Sequence, residues 1–209
     1  SQKRVNRLTS LFVTFANSRH PAFFFWTRMR NPAKYLYRNP KTGILTGLWA
    51  CGRASGKYWG IWPLGLVERI KAMWYEGGLI LEPFGGKAHI DISVDLKSEC
   101  KPTVVADAHH LPFRSDSFSL ICADPPYNRE YEKKYGCPKV RLKNVLDECM
   151  RVLKPKGVIA LLHFNCPANP KANPFKRLAL IGITCGVNHK IRALSVWQKQ
   201  SRPVQLDRF

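Results

Sequence analysis

No acidic residue precedes Glu68, although eleven Lys or Arg lie between Ser1 and Val67, and none occurs between Cys149 and Leu206. Over the whole chain, thirty-four Lys and Arg face fourteen Asp and Glu, a formal net charge of +20. Such a chain is drawn to polyanions, with an association that weakens as salt rises. No apolar run approaches the ~18 residues of a membrane span, and Leu11 to Ala16 is too short and broken for a signal h-region. The chain starts Ser-Gln-Lys-Arg without Met, consistent with a trimmed start. Seven cysteines, at 51, 100, 122, 137, 149, 166 and 185, form no Cys-x-x-Cys pair. That argues against a disulfide framework and against a zinc site, and a reducing cytoplasm is the expected setting, nucleoid-associated or virus-encoded versions included. His109-His110 has no second His or Cys at helical spacing, so no metal is expected. What is present is a globular composition, 45% hydrophobic and 23% charged with six Trp, in 209 residues. Disorder is excluded and one α/β domain is of the right size.

Two regions read differently. Residues 1–60 are basic and aromatic, broken by Pro21, Pro32 and Pro40, with a turn at Asn39-Pro40-Lys41-Thr42-Gly43. Residues 61–209 carry an α/β pattern. Leu64, Leu66, Val67, Ile70 and Met73 suit an amphipathic helix ended by Gly77-Gly78, and another runs from Leu142 to Leu153 and stops at Lys154-Pro155-Lys156-Gly157. Strands are expected at 79–82, 92–96, 103–106, 118–123, 158–164, 178–185 and 191–198. The last two are close enough for an antiparallel hairpin, whereas the earlier ones have the longer links that parallel strands need.

The strongest chemical signal is Asp124-Pro125-Pro126-Tyr127, directly after the apolar strand 118–123. Two prolines donate no backbone hydrogen bond and hold the chain extended, so the strand ends there. The result is a stiff loop with a carboxylate at one end and an aromatic ring at the other, where open α/β sheets bind ligands. A base's exocyclic amine is a poor nucleophile because its lone pair is conjugated into the ring. Acceptors from the Asp124 carboxylate and the Pro125 carbonyl would bond its two hydrogens and favour pyramidal nitrogen, while Tyr127 stacks on the flipped base.

With this loop the chain resembles the amino-methyltransferase branch of the class I S-adenosylmethionine-dependent methyltransferases, which carry an Asp/Asn/Ser-Pro-Pro-Tyr/Phe motif, over roughly residues 58 to 198. The resemblance implies a Rossmann-like α/β fold with a seven-stranded, mostly parallel sheet and an antiparallel C-terminal hairpin. It implies catalytic roles for Asp124, Pro125, Pro126 and Tyr127, and S-adenosyl-L-methionine as cofactor. Leu81-Glu82-Pro83-Phe84-Gly85-Gly86 is similar to the first family motif, its glycines letting backbone approach the cofactor and its acid facing the positive groups. Asp95, ending Val94-Asp95-Leu96, would hold ribose hydroxyls, and Asp107 with Ala108 would receive the adenine amine. Trp62-Pro63 would pack beside the methionine moiety, and Asp124 also borders the cofactor. Only nine residues carry the chain from Gly86 to Asp95, so the first crossover helix must be truncated into a loop around Lys87-Ala88-His89-Ile90. Asp95 is preferred over Asp91 because it ends the strand-like run.

For the substrate, basic residues track phosphates while rings stack on bases. Arg28, Arg30, Lys34, Arg38, Lys41, Arg53 and Lys57 are interleaved with aromatics that include Phe23, Phe24, Phe25, Trp26, Tyr35, Tyr37, Trp49, Tyr58 and Trp59. Packing of the rings against the sheet is the competing expectation. Arg129, Lys133 and Lys134 follow the catalytic loop in a segment that reads as mobile. Nucleic acid is the expected partner, DNA before RNA, with no membrane and no metal, acting as a monomer or weak dimer. N6-methylation of adenine in DNA is the leading expectation. Its rivals are an RNA adenine-N6 or N4-cytosine methyltransferase, or an inactive nucleic-acid-binding module with the same fold. Cytosine C5 methylation fits poorly, because Cys137-Pro138 and Cys166-Pro167 reverse the Pro-Cys order of that chemistry.

Overall fold

The computed structural model describes residues 31–53, 61–87, 90–168, 175–186 and 190–201. Nine strands form one sheet: β1 (Leu36–Arg38), β2 (Leu45–Ala50), β3 (Ile80–Glu82), β4 (Ile92–Asp95), β5 (Val104–Val105), β6 (Phe118–Ala123), β7 (Leu153–His163), β8 (Phe175–Thr184) and β9 (Arg192–Lys199). Their order across the sheet is β1-β2-β8-β9-β7-β6-β3-β4-β5. Strands β5, β4, β3, β6 and β7 are parallel throughout, while β9 runs antiparallel between β7 and β8. The Rossmann-like sheet with its antiparallel C-terminal hairpin is therefore present, with nine strands rather than seven.

The two added strands come from the basic N-terminal region. Asn39 Oδ1 accepts from the Lys41 and Thr42 amides, closing the expected turn, and β1 pairs antiparallel with β2 across it. Strand β2 then pairs parallel with β8. Leu45 and Trp49 enter the core, and Trp49 is 2% exposed. Strands β1 and β2 are thus built into the same sheet as the strands of residues 80–199.

Three α-helices occur among the described residues: α1 (Leu66–Trp74), α2 (Arg129–Tyr135) and α3 (Leu142–Val152). In α1, Leu66 and Ile70 are fully buried at the i, i+4 spacing that puts them on one face. In α3 the same logic buries Val145, Leu146, Cys149, Met150 and Val152, while Lys143 and Asp147 pair at 2.8 Å on the outside. The helices cover opposite faces of the sheet. One core joins α1 to Trp49, Ile80, Leu120, Leu162 and Leu194, and the other joins α3 to Leu81, Ile121, Leu153, Ile159 and Trp197. Burial on both faces explains why β6 reads as a continuous apolar run. Gly78 is required after α1, because its φ is +101° and a Cβ there would lie 2.3 Å from Ser119 Oγ.

The crossovers are spare. Nine residues link β3 to β4, and their described part contains no helix, as the short spacing requires. Between β4 and β5 there is one 3-10 turn, Ser98–Cys100. The expected stop at Lys154–Gly157 lies inside β7 instead, where the register with β6 slips between Leu153 and Val158 and Lys156 takes a φ of 64°. The segment after Asn128 is helix α2 and not a loose loop: Asn128 Oδ1 caps it by accepting from the Tyr131 amide, Glu130 and Glu132 lie in its first turn, and Lys133 and Lys134 in its last. No described helix is long and apolar enough to cross a membrane, and no cluster of metal-ligating side chains occurs among the described residues.

Candidate active site

Strands β3 and β6 are neighbours, yet the chain proceeds from β3 outward through β4 and β5, and from β6 the other way to β7. That reversal opens a crevice at the strands' carboxyl ends. A cavity of about 920 Å³ lies there. Pro83, Phe84 and Gly86 line it after β3, Asp95 and Leu96 at the end of β4, Asp107 and Ala108 after β5, and Asp124, Pro125, Pro126 and Tyr127 after β6. Pro63, which precedes α1, joins them. The structure therefore brings most of the residues singled out in the sequence to one wall.

Trp62, Glu82 and Gly85 are not on that wall. Glu82 is completely buried, its Oε1 accepting from Trp62 Nε1 at 2.7 Å and its Oε2 from the Ile90 amide at 3.2 Å. Burial pushes its carboxyl up to about 8, against the pull of these two bonds. Near neutral pH it is mostly protonated in the ligand-free protein. It fixes Trp62 under the site. The Gly85 amide donates to the Val94 carbonyl at 2.9 Å and the Gly86 amide to Asp95 Oδ2 at 3.0 Å. The glycine loop thereby folds down onto β4, which is how nine residues suffice for this crossover.

Asp95 also accepts from the Lys97 amide at 2.9 Å through Oδ1, so among the described residues each of its oxygens has one partner and lone-pair capacity for another. Asp91 lies at the opposite, amino end of the strands, where it accepts from the Ile80 amide at 3.1 Å. Asp107 is bonded by both the backbone amide and the Nδ1 of His109, at 2.9 and 2.6 Å. Burial raises its carboxyl, but these bonds outweigh burial and hold it below the ordinary value. His109 Nε2 accepts from the Arg141 amide at 2.9 Å, so in this arrangement Nδ1 carries the proton. The pair ties the β5 loop to the start of α3.

At the centre, the Tyr127 hydroxyl donates to Asp124 Oδ1 at 2.5 Å, and Arg192 Nη1 donates to the Tyr127 oxygen at 3.2 Å. Oδ2 of Asp124 has no hydrogen-bond partner among the described residues. Burial pushes the Asp124 carboxyl up to about 6, with the Tyr127 bond and then the Arg192 charge opposing it. The Tyr127 ring is packed by Phe164 at 4.4 Å, His163 at 5.5 Å and Tyr131 at 5.6 Å between centroids. Phe164, Tyr131 and Tyr135 line the same cavity, which makes an aromatic wall beside Asp124.

Sequence reasoning missed Arg192, Lys190, Cys185 and Phe164, all brought to the cavity by the ends of β7, β8 and β9. Only their positions at strand ends marked them, and the adjacency of β9 to β7 is not written in any local motif. Of the basic residues assigned to nucleic acid, Arg53 and Lys134 line the cavity. Arg129 lines a smaller cavity of about 400 Å³ behind the same loop, and Lys133 is exposed on α2. Lys34 stands exposed before β1, its ammonium 5.8 Å from the Tyr35 ring. Arg38 and Lys41 flank the β1–β2 turn at the amino end of β2, hence at the opposite end of the sheet from the cavity. Among the aromatics of that region, Trp49 packs into the core, whereas Tyr35 and Tyr37 are 71% and 62% exposed. Arg28, Arg30 and Lys57, with Phe23 to Trp26, Tyr58 and Trp59, lie outside the described residues.

No family model and no curated relative matches the sequence. Solved structures with a similar chain path include TrmN from Thermus thermophilus, at 20% identity over 64% of this chain and 48% of that one, with a TM-score of 0.47. An S-adenosylmethionine-dependent O-methyltransferase from Thermotoga maritima is 16% identical over 70% of this chain and 69% of its own, at a TM-score of 0.48. A 1,6-didemethyltoxoflavin-N1-methyltransferase from Burkholderia thailandensis, solved with S-adenosylhomocysteine, is 12% identical over 63% and 75%, at 0.43. The chain spans about half the length of TrmN. Function is therefore read from the site itself.

Proposed function

We propose that the protein is an S-adenosylmethionine-dependent methyltransferase that methylates the N6 amine of adenine in DNA after flipping the base from the helix. The observation that carries this reading is the Asp124–Tyr127 loop on the wall of a cavity at the sheet's switch point, whose lining also holds Asp95 and Asp107 and the cations Arg53, Lys190 and Arg192.

The residues present fit the cofactor. About 920 Å³ is at the upper end of the roughly 300–1,000 Å³ typical of small-molecule sites, enough for a cofactor and an acceptor base together. Asp95 keeps lone pairs for ribose hydroxyls, and Asp107, held ionised by His109, suits an adenine amine. Pro63 and Phe84 supply apolar surface beside them. When bound, S-adenosylmethionine supplies an electrophilic methyl group.

This chain's own residues do the rest. Asp124 accepts a hydrogen of the substrate amine through its unpartnered Oδ2 and turns the nitrogen lone pair out of conjugation. Pro125 and Pro126 have no N–H to compete for that nitrogen. With a carboxyl raised to about 6, Asp124 is charged at neutral pH yet basic enough to take the proton the methylated nitrogen sheds. Because the Tyr127 hydroxyl is committed to Asp124, the base is stacked by ring faces of the wall that includes Phe164 and Tyr131. Stacking of this kind contributes about 1–3 kcal/mol per base and so offsets an unpairing cost of a few kcal/mol.

The test is transfer of labelled methyl from S-adenosylmethionine to duplex DNA, single-stranded DNA and RNA, followed by nucleoside analysis. Label in N6-methyladenine from DNA is expected, and Asp124→Ala should abolish turnover while cofactor affinity stays within a few-fold. Label confined to RNA or to N4-methylcytosine reassigns the substrate. Absence of cofactor binding at millimolar concentration would falsify the enzyme reading and leave a nucleic-acid-binding module.

A further inference from the structure

Arg192 has no role in the chemistry described above, yet it reaches into the site from the start of β9. Its two terminal nitrogens are both used: Nη1 donates to the Tyr127 hydroxyl at 3.2 Å, and Nη2 donates to Cys185 Sγ at 3.1 Å. Tyr127 in turn donates to Asp124 at 2.5 Å. The hydroxyl has one proton and two lone pairs, so the direction of the chain is determined. Arg192 has only donors to offer, hence Tyr127 must accept from it and spend its single proton on Asp124. A guanidinium at that position therefore fixes both the rotor of the Tyr127 hydroxyl and the oxygen of Asp124 that it engages.

We infer that Arg192 is a positioning residue, acting through Tyr127 to hold the Asp124 carboxyl in one orientation and in its ionised form, with Oδ2 left for the substrate. The inference deepens the methyltransferase reading and rests on it for the identity of the substrate, but the relay itself is a property of the free protein. Cys185, at the end of β8, anchors the other arm of the guanidinium, so the relay joins the hairpin end of the sheet to the loop after β6.

The groups around Asp124 all bear on its charge. Tyr127 approaches from its own loop, Glu82 from β3, Tyr135 from α2 and Arg192 from β9. Arg53, Lys134 and Lys190 line the same cavity. Glu82 and Tyr135, being neutral near pH 7, give no compensation when Arg192 is removed. Loss of the guanidinium takes away a positive charge and frees the Tyr127 hydroxyl to turn from Asp124, and both changes favour the protonated acid.

The experiment is a pH titration of the carboxyl carbon of Asp124 by NMR on aspartate-labelled full-length protein, assigned by Asp124→Asn. The wild-type midpoint is expected near 6. Arg192→Gln should move it upward, Tyr127→Phe should also move it upward, and Arg192→Lys should restore it at least in part by returning the charge. Thermal melts of each variant separate this from simple unfolding, since a merely structural arginine would lower the melting temperature without shifting the titration of the folded protein. An Asp124 midpoint that stays put in Arg192→Gln overturns the inference, whatever Tyr127→Phe or the activity shows. Where methyl transfer is observed, Arg192→Gln should lower kcat and raise the acid limb of its pH profile with KM for nucleic acid little changed. A shifted titration in a protein that methylates nothing would leave the relay standing and remove the transferase reading. Normal transfer with an unshifted titration would do the reverse.

Discussion

The two halves of the cavity rim carry opposite charge on the same kind of scaffold. At the ends of β4, β5 and β6 stand Asp95, Asp107 and Asp124, whereas the side formed by β2, β8 and β9 presents Arg53, Lys190 and Arg192. Lys87 and Lys97 on the first side keep the division from being absolute. On the proposed function, each half meets a different ligand. Backbone amides fix Asp95 and Asp107 in the acidic half, which preorganises them for the hydroxyls and amine of the proposed cofactor. In the basic half Arg192 is held by Tyr127 and Cys185, so Arg53 and Lys190 are the long side chains left for phosphates that arrive in variable positions. Asp124 sits between the halves and is bonded to the basic half through Tyr127.

Three measurements sharpen or break this division. The largest effect is expected from Asp107→Ala, which removes an ionised acceptor: cofactor affinity by calorimetry should fall by about 10- to 100-fold, as for a charge-assisted hydrogen bond of about 1.5–3 kcal/mol. Affinity for nucleic acid in the same variant should be unchanged or slightly higher. A variant that keeps full cofactor affinity would dissolve the comparison. Next, Arg53→Gln and Lys190→Gln should each weaken nucleic-acid binding several-fold and flatten the salt dependence by about 0.9 for each phosphate no longer neutralised, leaving cofactor affinity alone. Weaker binding with the salt slope intact would mean that neither residue meets a phosphate.

The smallest effect concerns stability and pH. Asp124 and Glu82 both have carboxyls raised in the folded protein, to about 6 and about 8. A raised acid binds its proton more tightly folded than unfolded, so its contribution is complete below its ordinary value and is lost as pH climbs through the folded one. The thermal midpoint should therefore decline from about pH 4, more steeply up to about pH 6 where both acids contribute and less steeply on to about pH 8, and Asp124→Asn should make the lower stretch shallower. A flat profile over that range would show that burial does not disfavour these charges.

The elements that the sequence announced are those with a full burial pattern. Strand β6 and helix α3 lie under cover on their inward faces, and their bounds come within a residue or two of the pattern. Strand β2 was hidden because it buries only Leu45 and Trp49, and Gly47 between them carries no side chain that would complete an alternating pattern. Gly47 is needed there, since a Cβ would lie 2.7 Å from the Tyr35 carbonyl oxygen. Helix α2 was hidden for another reason: it buries no residue fully, so no apolar stripe marks it, although the Asn128 cap and the order of acids before lysines were legible. At the site, the loop after β6 and the acids at strand ends were readable because each lies in a local motif. The burial of Glu82 was not legible, because a motif does not report depth.

By itself the sequence determined the strand and helix segments of residues 64–198 other than α2, the stiff loop at Asp124 and the acids that flank it, because these follow from short-range periodicity and from proline's missing N–H. Tertiary structure alone decided that β9 lies between β7 and β8, that the N-terminal hairpin joins the sheet, and that Arg192 meets Tyr127 from sixty-five residues away. Those outcomes depend on strand adjacency and on which carboxyl is deprived of water, and neither is encoded in the neighbours along the chain.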